Sequence, residues 1–338
     1  MRVLLVAEQL RRAAPGGIGT YIRGLVQGVG GLDEAPEVEV SMGRLPVPVV
    51  TRAWDHGLLR ARRGFDVVHA PALAFPRTSA RLVVAVHDVA WRHVPETFPR
   101  RGRRWHEAAL RRAIRRRATV VVPSDETADE LVDAGAHPSA VRVLDPMYGC
   151  DHLPPADPAA VAALLDRLGV DGPYLLTVGT REPRKNLPAL VEAFTRARPL
   201  LPEPWPLLVV GPAGWGDDLA PAPGVVPIGP VAPATLAGLY AGARCVAYVP
   251  LYEGFGLPVV EAMAACTPVV ASVGLLSAGG AALEVDPTDI GAMASGLVAA
   301  AGDDRRRAEL VTAGLLRAGE LTWHAAARAH VQLWEGLA

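Results

Sequence analysis

Short runs of β-branched and other apolar residues recur along the chain, each followed by a longer stretch of mixed polarity. The first series reads "RVLLVAE", "VEVSM", "FDVVHA", "RLVVAVHD", "ATVVVPS" and "AVRVLD". The second reads "PYLLTVG", "PLLVVGP", "GVVPIGP", "CVAYVP", "TPVVAS" and "AALEVDP". Runs that stay apolar at consecutive positions suit strands buried on both faces, and strands alternating with helices make parallel sheets. Two series of about six strands predict two doubly wound α/β domains of Rossmann type. Between them, "DHLPPADPAAVAALLDRLGVDGPY" is proline-rich, carries one helix and fits an interdomain connection near residues 152–172. The expected division is an N-terminal Rossmann-like domain over 1–160, a second over 161–320 and a terminal segment over 321–338.

Composition narrows the class. At 338 residues the chain exceeds one ordinary core and fits two domains of about 150 each. Half the residues are apolar, which excludes a disordered chain. The net charge of −1 is unevenly spread: 23 basic against 19 acidic residues lie in 1–170, and 11 against 16 in 171–338. Cys150, Cys245 and Cys266 form no metal or redox spacing. "HEAAL" lacks the second histidine of a zinc motif, and no D-x-D occurs. "MRVLLVAEQLRR" reads as a first strand and not as a signal peptide. The uncharged run 262–283 reaches membrane-spanning length, but Thr267-Pro268, Gly274 and Gly279-Gly280 break it into helix end, strand and loop. The expectation is a soluble, cytoplasmic protein.

In open parallel sheets, ligands bind beyond the C-terminal ends of the strands, where helix N-termini present free N–H groups. After the first strand, "APGGIGTYI" places Gly16, Gly17 and Gly19 at the opening of a helix. They permit close backbone approach to an anion or sugar, or simply a tight turn. It is no dinucleotide fingerprint, because Ile22 stands where a third glycine is required. After the fourth strand, "VAVHDVAWRHVPETFP" puts His87 and Asp88 at a strand end. A neutral imidazole there suits a sugar hydroxyl; a satisfied core histidine is the plainer alternative.

The first strand of the second half leads into "VGTREPRKNLPALVEAF", which holds Lys185, the one lysine among 34 basic residues. A chain that otherwise uses arginine throughout retains here a compact ammonium in place of a planar fork. Arg181, Arg184 and Lys185 precede a helix starting near Leu187, where the helix dipole disfavours cations. A bound polyanion gives them a reason to be there. Further on, "YVPLYEGFGLPVVEAM" sets Glu253 before a glycine-rich turn and Glu261 roughly one turn into a helix opening at Leu257-Pro258. Such carboxylates suit vicinal hydroxyls; a paired general acid and base is the competing chemistry, and dipole stabilisation the structural one.

These residues resemble the retaining glycosyltransferases of family 4 (group 1), whose signature E-x7-E here reads "EGFGLPVVE", Glu253 to Glu261. "VGTREPRKNL" resembles the family's phosphate loop, "GPAGWG" a following loop, and "HDVAWRHVPETFP" and "PGGIGTYI" its N-domain motifs. The resemblance implies the GT-B fold: two Rossmann-like domains facing a cleft, with the last helix, "TWHAAARAHVQLW", crossing back onto the N-terminal acceptor domain. It implies a nucleotide-diphosphate sugar as donor, GDP-mannose or a UDP-hexose, and a glycan or lipid-linked acceptor, with no cofactor or metal. Lys185 with Arg181 or Arg184 would bind the diphosphate, and Glu261 the ribose. Glu253, with the N–H groups of Phe255, Gly256 and Leu257, would place the hexose and distal phosphate. His87, beside Asp88, would touch the sugar, and Gly16 and Gly17 would line the donor side.

Departures from the family pattern are specific. Thr180 stands where an arginine is usual, Cys266-Thr267-Pro268 replaces Gly-Thr-Pro, and "ASVGLLSAGGAALEVDP" is short and lacks an acidic residue before "GGAAL". "LDPMYGCDHL" also strays. A non-catalytic GT-B scaffold that binds nucleotide sugar or glycan is the alternative these loops favour; a nucleotide-sugar 2-epimerase or a dehydrogenase fits less well.

Residues 92–117 hold ten arginines against two glutamates. From Gly102 a helix is expected, with Trp105, Ala109 and Ile114 near one face. Residues 100–117 suit peripheral contact with an anionic membrane, at the inner face, or a solvated helix. Nothing accompanies the patch that reads nucleic acid.

Overall fold

The computed structural model describes residues 1–215 and 219–338; Gly216, the last residue of "GPAGWG", lies outside them. The strands are β1 (Arg2–Val6), β2 (Glu37–Ser41), β3 (Val67–Ala70), β4 (Arg81–Ala85), β5 (Thr119–Val122), β6 (Val141–Val143), β7 (Leu175–Val178), β8 (Leu207–Val210), β9 (Val225–Gly229), β10 (Cys245–Tyr248), β11 (Val269–Ser272) and β12 (Leu283–Val285). The helices are α1 (Gly16–Gly30), α2 (Val47–Asp55), α3 (Ala90–His93), α4 (Arg100–Arg115), α5 (Asp125–Asp133), α6 (Pro158–Leu168), α7 (Leu187–Ala197), α8 (Pro233–Gly242), α9 (Leu257–Ala264), α10 (Ile290–Gly302), α11 (Asp304–Glu320) and α12 (Trp323–Glu335).

The strands form two six-stranded sheets, ordered β2-β1-β3-β4-β5-β6 and β12-β11-β10-β7-β8-β9. Every pairing is parallel, as consecutive apolar strands demand. The central strands β3, β8, β10 and β11 are buried at every position. Two compact units result: residues 1–152 with 321–338, and residues 153–320. The division falls within the connection expected over 152–172, and α6 belongs with the second unit. The uncharged run 262–283 resolves into the end of α9, β11 and a loop. Cys266 there takes a φ of 59°, the left-handed conformation that explains glycine at this place in the family. Among the described residues, no helix is long and apolar enough to cross a membrane.

The last helix lies on the first unit, as the sequence led us to expect, and α1 is built to receive it. A Cβ on Gly24 would overlap the Trp323 indole, and one on Gly28 or Gly149 would overlap the Trp323 backbone. Beneath this contact runs a buried polar chain. Trp334 Nε1 donates to His69 Nδ1 at 3.0 Å, so the His69 proton sits on Nε2 and is donated to the Tyr21 oxygen at 3.0 Å. Tyr21 in turn donates to His330 Nε2 at 2.7 Å, and His330 Nδ1 donates to the Ala326 carbonyl at 2.7 Å. Every proton has one place, and both histidines are neutral. Burial lowers the pKa of His69 well below its ordinary value and that of His330 to about 4.

In an isolated helix, Gly24→Ala would add about 1 kcal/mol of stability through propensity. Here the methyl meets the indole, and a net loss of about 1–3 kcal/mol is expected. Urea unfolding of parent and variant checks the sign; a stabilised variant would show that α12 does not press on α1.

Candidate active site

In the second unit, β7 ends at Val178 and the chain enters the loop holding Arg181. A 3₁₀ turn, Pro183–Lys185, follows, and then Asn186 at φ 59°, ψ 29° opens α7. Asparagine tolerates the left-handed region, and its side chain pins the turn: Nδ2 donates to the Val249 carbonyl at 3.2 Å and to that of Pro287 at 2.7 Å. Leu251 N–H donates to the Arg184 carbonyl at 2.9 Å, joining the loops after β7 and β10.

That seam brings three donors onto one oxygen. Glu253 Oε2 accepts from Arg184 Nη1 at 2.7 Å, from Tyr248 Oη at 2.9 Å and from Lys185 Nζ. Lys185 also donates to Tyr248 Oη at 2.6 Å and lies 5.0 Å from the centre of its ring. Arg184 reaches the Tyr252 carbonyl at 3.0 Å, and Glu182 stands 3.7 Å away. The side chains of Arg184, Lys185 and Glu253 are only 13–15% exposed. Burial alone would raise the pKa of Glu253. The charges of Arg184 and Lys185, with hydrogen bonds from Lys185 and Tyr248, overcome that and hold it at about 2. Burial lowers the pKa of Lys185, against the pull of Glu253.

The turn after Glu253 reaches α9 through Gly256, at φ 95°. A Cβ here would stand 2.9 Å from Ser277 Oγ and 3.4 Å from the Tyr248 ring, so both conformation and space require glycine. Phe255, Gly256 and Leu257 lead into a helix whose N-terminus no side chain caps; α7 has none either. Pro188 and Pro258 bring no N–H, and Leu190 and Val259 donate to the cap carbonyls of Asn186 and Gly256 at 3.1 and 3.0 Å, so each first turn holds out the N–H of its opening residue, Leu187 or Leu257. Glu261, buried in α9, accepts from Tyr240 Oη at 2.7 Å.

Arg181 stands apart from the cluster. Its N–H donates to the Pro212 carbonyl at 3.0 Å, its backbone bridges Ala213, and its side chain has no partner among the described residues. Of the two arginines that sequence offered in place of one at position 180, Arg184 is the one beside Lys185.

The other candidates belong to the first unit. His87 follows β4 with both ring nitrogens engaged: Nε2 donates to the Pro71 carbonyl at 2.7 Å, and Nδ1 accepts from Tyr148 Oη at 2.6 Å. Asp88 accepts from the Ala90 N–H at 3.0 Å, a local turn bond. Gly16, exposed at φ 61°, opens α1 with Gly17 exposed behind it, and a Cβ on Gly16 would meet nothing within 4 Å.

Sequence reasoning missed Tyr248, Tyr240, Asn186 and Ser277, whose buried Oγ has no hydrogen-bond partner among the described residues. Tyr248 and Tyr240 read as core aromatics, because nothing local shows that their hydroxyls meet carboxylates. Asn186 was findable: a polar residue between a basic turn and a proline-started helix marks a left-handed junction.

Comparison with known proteins agrees with this layout. A model of Glycosyltransferase Family 4 matches residues 33–147, and one of Glycosyl transferases group 1 matches 172–303. The O-antigen chain mannosyltransferase B of Escherichia coli is 32% identical, the match covering 76% of this chain and 71% of that one. This chain belongs to the family 4, group 1 glycosyltransferases. Another relative, a D-inositol 3-phosphate glycosyltransferase of Stackebrandtia nassauensis, is 30% identical over 84% of this chain and 72% of its own. Among solved structures, Anabaena HepE in complex with UDP-glucose matches with a TM-score of 0.72 at 18% identity, covering 99% of this chain and 100% of that one. Sucrose-phosphate synthase from Thermosynechococcus elongatus matches with a TM-score of 0.72 at 20% identity, covering 100% and 99%. At these identities the structures show the fold, the two-Rossmann GT-B architecture that the family carries.

Glu253 has a folded pKa of about 2 against an ordinary 4.5, so the stability it contributes is complete above the unfolded value and is lost as pH falls through the folded one. Glu253→Gln leaves Lys185 without its carboxylate and Arg184 with Glu182, at 3.7 Å, and is expected to be less stable at pH 7 by about 2–4 kcal/mol. The gap should narrow between pH 4.5 and 2. Denaturant unfolding at stepped pH checks this, and a constant gap would refute the ionised cluster.

Proposed function

We propose that this glycosyltransferase moves a hexose, with retention at the anomeric carbon, from a nucleotide-diphosphate sugar to a glycan or lipid-linked acceptor. The observation that carries the reading is the convergence of Arg184, Lys185 and Tyr248 on one oxygen of Glu253. A carboxylate oxygen held by two cations and a hydroxyl occupies a place suited to a phosphate oxygen. When a diphosphate arrives, the cations pass to it and Glu253 is released to accept hexose hydroxyls.

Departure of the diphosphate is the hard step. The bond from the anomeric carbon to the phosphate oxygen breaks, and the acceptor oxygen bonds to that carbon on the same face. The acceptor proton goes to the leaving phosphate. Lys185, Arg184 and the open N-termini of α7 and α9 stabilise the developing charge. Glu261 takes the ribose hydroxyls beside Tyr240, Arg181 serves the outer phosphate, and Phe255, Gly256 and Leu257 offer N–H groups. His87 contacts the sugar, with Asp88 holding its loop; Gly16 and Gly17 line the donor side. No step calls for a metal. The named mannosyltransferase relative favours GDP-mannose, whereas the HepE complex favours UDP-glucose, so the base is the quantity to measure.

Calorimetric titration with UDP, GDP and ADP tests this. One nucleotide should bind at micromolar level, and Lys185→Ala should lose about tenfold or more, roughly 1.4 kcal/mol. Glu253→Gln, which removes the competing anion, should bind the bare nucleotide more tightly than the parent while losing turnover of the sugar donor. Weaker nucleotide binding in that variant would contradict the exchange.

We further place the enzyme in the cytoplasm, peripheral at the inner membrane face through residues 100–117. The geometry changes how that contact would work. The apolar side of α4, with Ala109, Leu110 and Ala113, is buried in the unit's own core, and Trp105 and Ile114 pack against it. Arg112 pairs with Asp55 at 2.7 Å and lies over Phe75. Insertion by an apolar face is therefore excluded, and what remains is charge: Arg100, Arg104, Arg111 and Arg115 are exposed and share one face at helical spacing. Changing these four to Gln should abolish sedimentation with anionic vesicles, which salt should also suppress. Salt-independent sedimentation, or none in the parent, would remove this contact.

A further inference from the structure

The first unit holds a second feature that the donor site does not use. A cavity of about 190 Å³ opens on one face of its sheet, between β1, the end of β2 and α2. Its walls are apolar: Leu4 and Val6 from β1, Val50 and Trp54 from α2, and Leu45 and Leu59 from the segments flanking α2. Glu8 is the one acidic residue lining it. Burial raises the Glu8 pKa, which favours its neutral form, although the Gly43 N–H donates to Oε1 at 3.0 Å; Oε2 has no partner among the described residues. Arg44, Arg60 and Arg62 complete the lining. Arg62 is engaged by Glu39, whereas the side chains of Arg44 and Arg60 are exposed and without a partner among the described residues.

The surface around this cavity is unusual in the same direction. Met42 is 54% exposed, Leu45 49%, Val49 51% and Leu58 76%. These are four of the seven exposed large apolar side chains described in this unit, and they fall within residues 42–58, the segment that carries α2. Scattered apolar residues need no explanation, but a cluster beside an apolar cavity marks a binding surface.

We propose that this cavity and its rim bind a long-chain phosphate ester, the lipid carrier of the acceptor. The apolar walls take part of the chain, the exposed residues of 42–58 cover more of it, and Arg44 and Arg60 pair with the phosphate, for which arginine's forked donors are suited. Charge complementarity selects this occupant. An uncharged glycan would leave two arginines unanswered and the apolar walls wet, and a free phosphate would leave the cavity empty. The proposal deepens the lipid-linked branch of the function above and rests on it for the word acceptor.

The test titrates the full chain with dodecyl phosphate below its micelle concentration, beside inorganic phosphate and dodecyl maltoside. Dodecyl phosphate should bind at least about tenfold more tightly than either. Arg44→Gln with Arg60→Gln should lose about tenfold, and so should Leu45→Asp, a change at an exposed wall. Nucleotide titration of each variant shows whether it is folded and reads the donor site independently. Equal binding of inorganic phosphate would reduce the rim to a plain anion site and overturn the proposal. Unchanged dodecyl phosphate binding in both variants would place the amphiphile elsewhere and overturn it too. Intact nucleotide binding with no dodecyl phosphate binding refutes this inference alone; loss of nucleotide binding alone refutes the donor reading and leaves this one standing.

Discussion

One carboxylate oxygen, Oε2 of Glu253, accepts from Arg184, Lys185 and Tyr248, and the second unit is arranged so that this can happen. Two cations and an anion taken largely out of water cost several kcal/mol each unless each finds a partner. The loop after β7 supplies the cations, β10 supplies the tyrosine, and the loop after β10 supplies the carboxylate. Asn186 ties those segments together, and Gly256 lets the chain turn close under Tyr248. Removing the carboxylate would take from Lys185 its charged partner and from Arg184 one nearer than Glu182. Glu253, together with Glu182 at 3.7 Å from Arg184, answers the two cations from within the unit.

The first unit depends on a different constraint, close approach. Gly24, Gly28 and Gly149 leave room for Trp323, and through it the chain's last helix joins the unit that its first residues began. The directed chain from Trp334 through His69, Tyr21 and His330 to Ala326 then fixes how that helix sits, because each hydrogen bond has a single consistent proton position. A buried polar chain of this kind specifies one arrangement while leaving no donor unmet.

Arginine-rich segments illustrate how one residue type divides into roles. On α4, Arg112 holds Asp55 and covers Phe75, while Arg100, Arg104, Arg111 and Arg115 face solvent. On the loop after β7, Arg184 joins the buried cluster while Arg181 is tied by its backbone to Pro212 and Ala213. Neither division is written in the local sequence. It follows from what the neighbouring elements bring: an aspartate at the end of α2, or a glutamate beyond β10.

Periodicity was enough for the fold, since twelve apolar runs became twelve parallel strands and glycine and proline marked where helices began. The single lysine and the two glutamates eight residues apart were likewise legible, because charge at a helix N-terminus and carboxylates around a glycine turn are local anomalies. The partners of those residues were not. Tyr248 and Tyr240 look like core aromatics until β10 and α8 bring their hydroxyls to Glu253 and Glu261. His87 looks like a free strand-end histidine until Pro71 and Tyr148 close on its ring. The cavity beside Trp54 needs β1, β2, α2 and the loop after it at once. Backbone conformation is set by neighbours a few residues away, which sequence displays. Hydrogen-bond partnership and burial are set by residues tens to hundreds of positions away, which only the folded chain brings within reach.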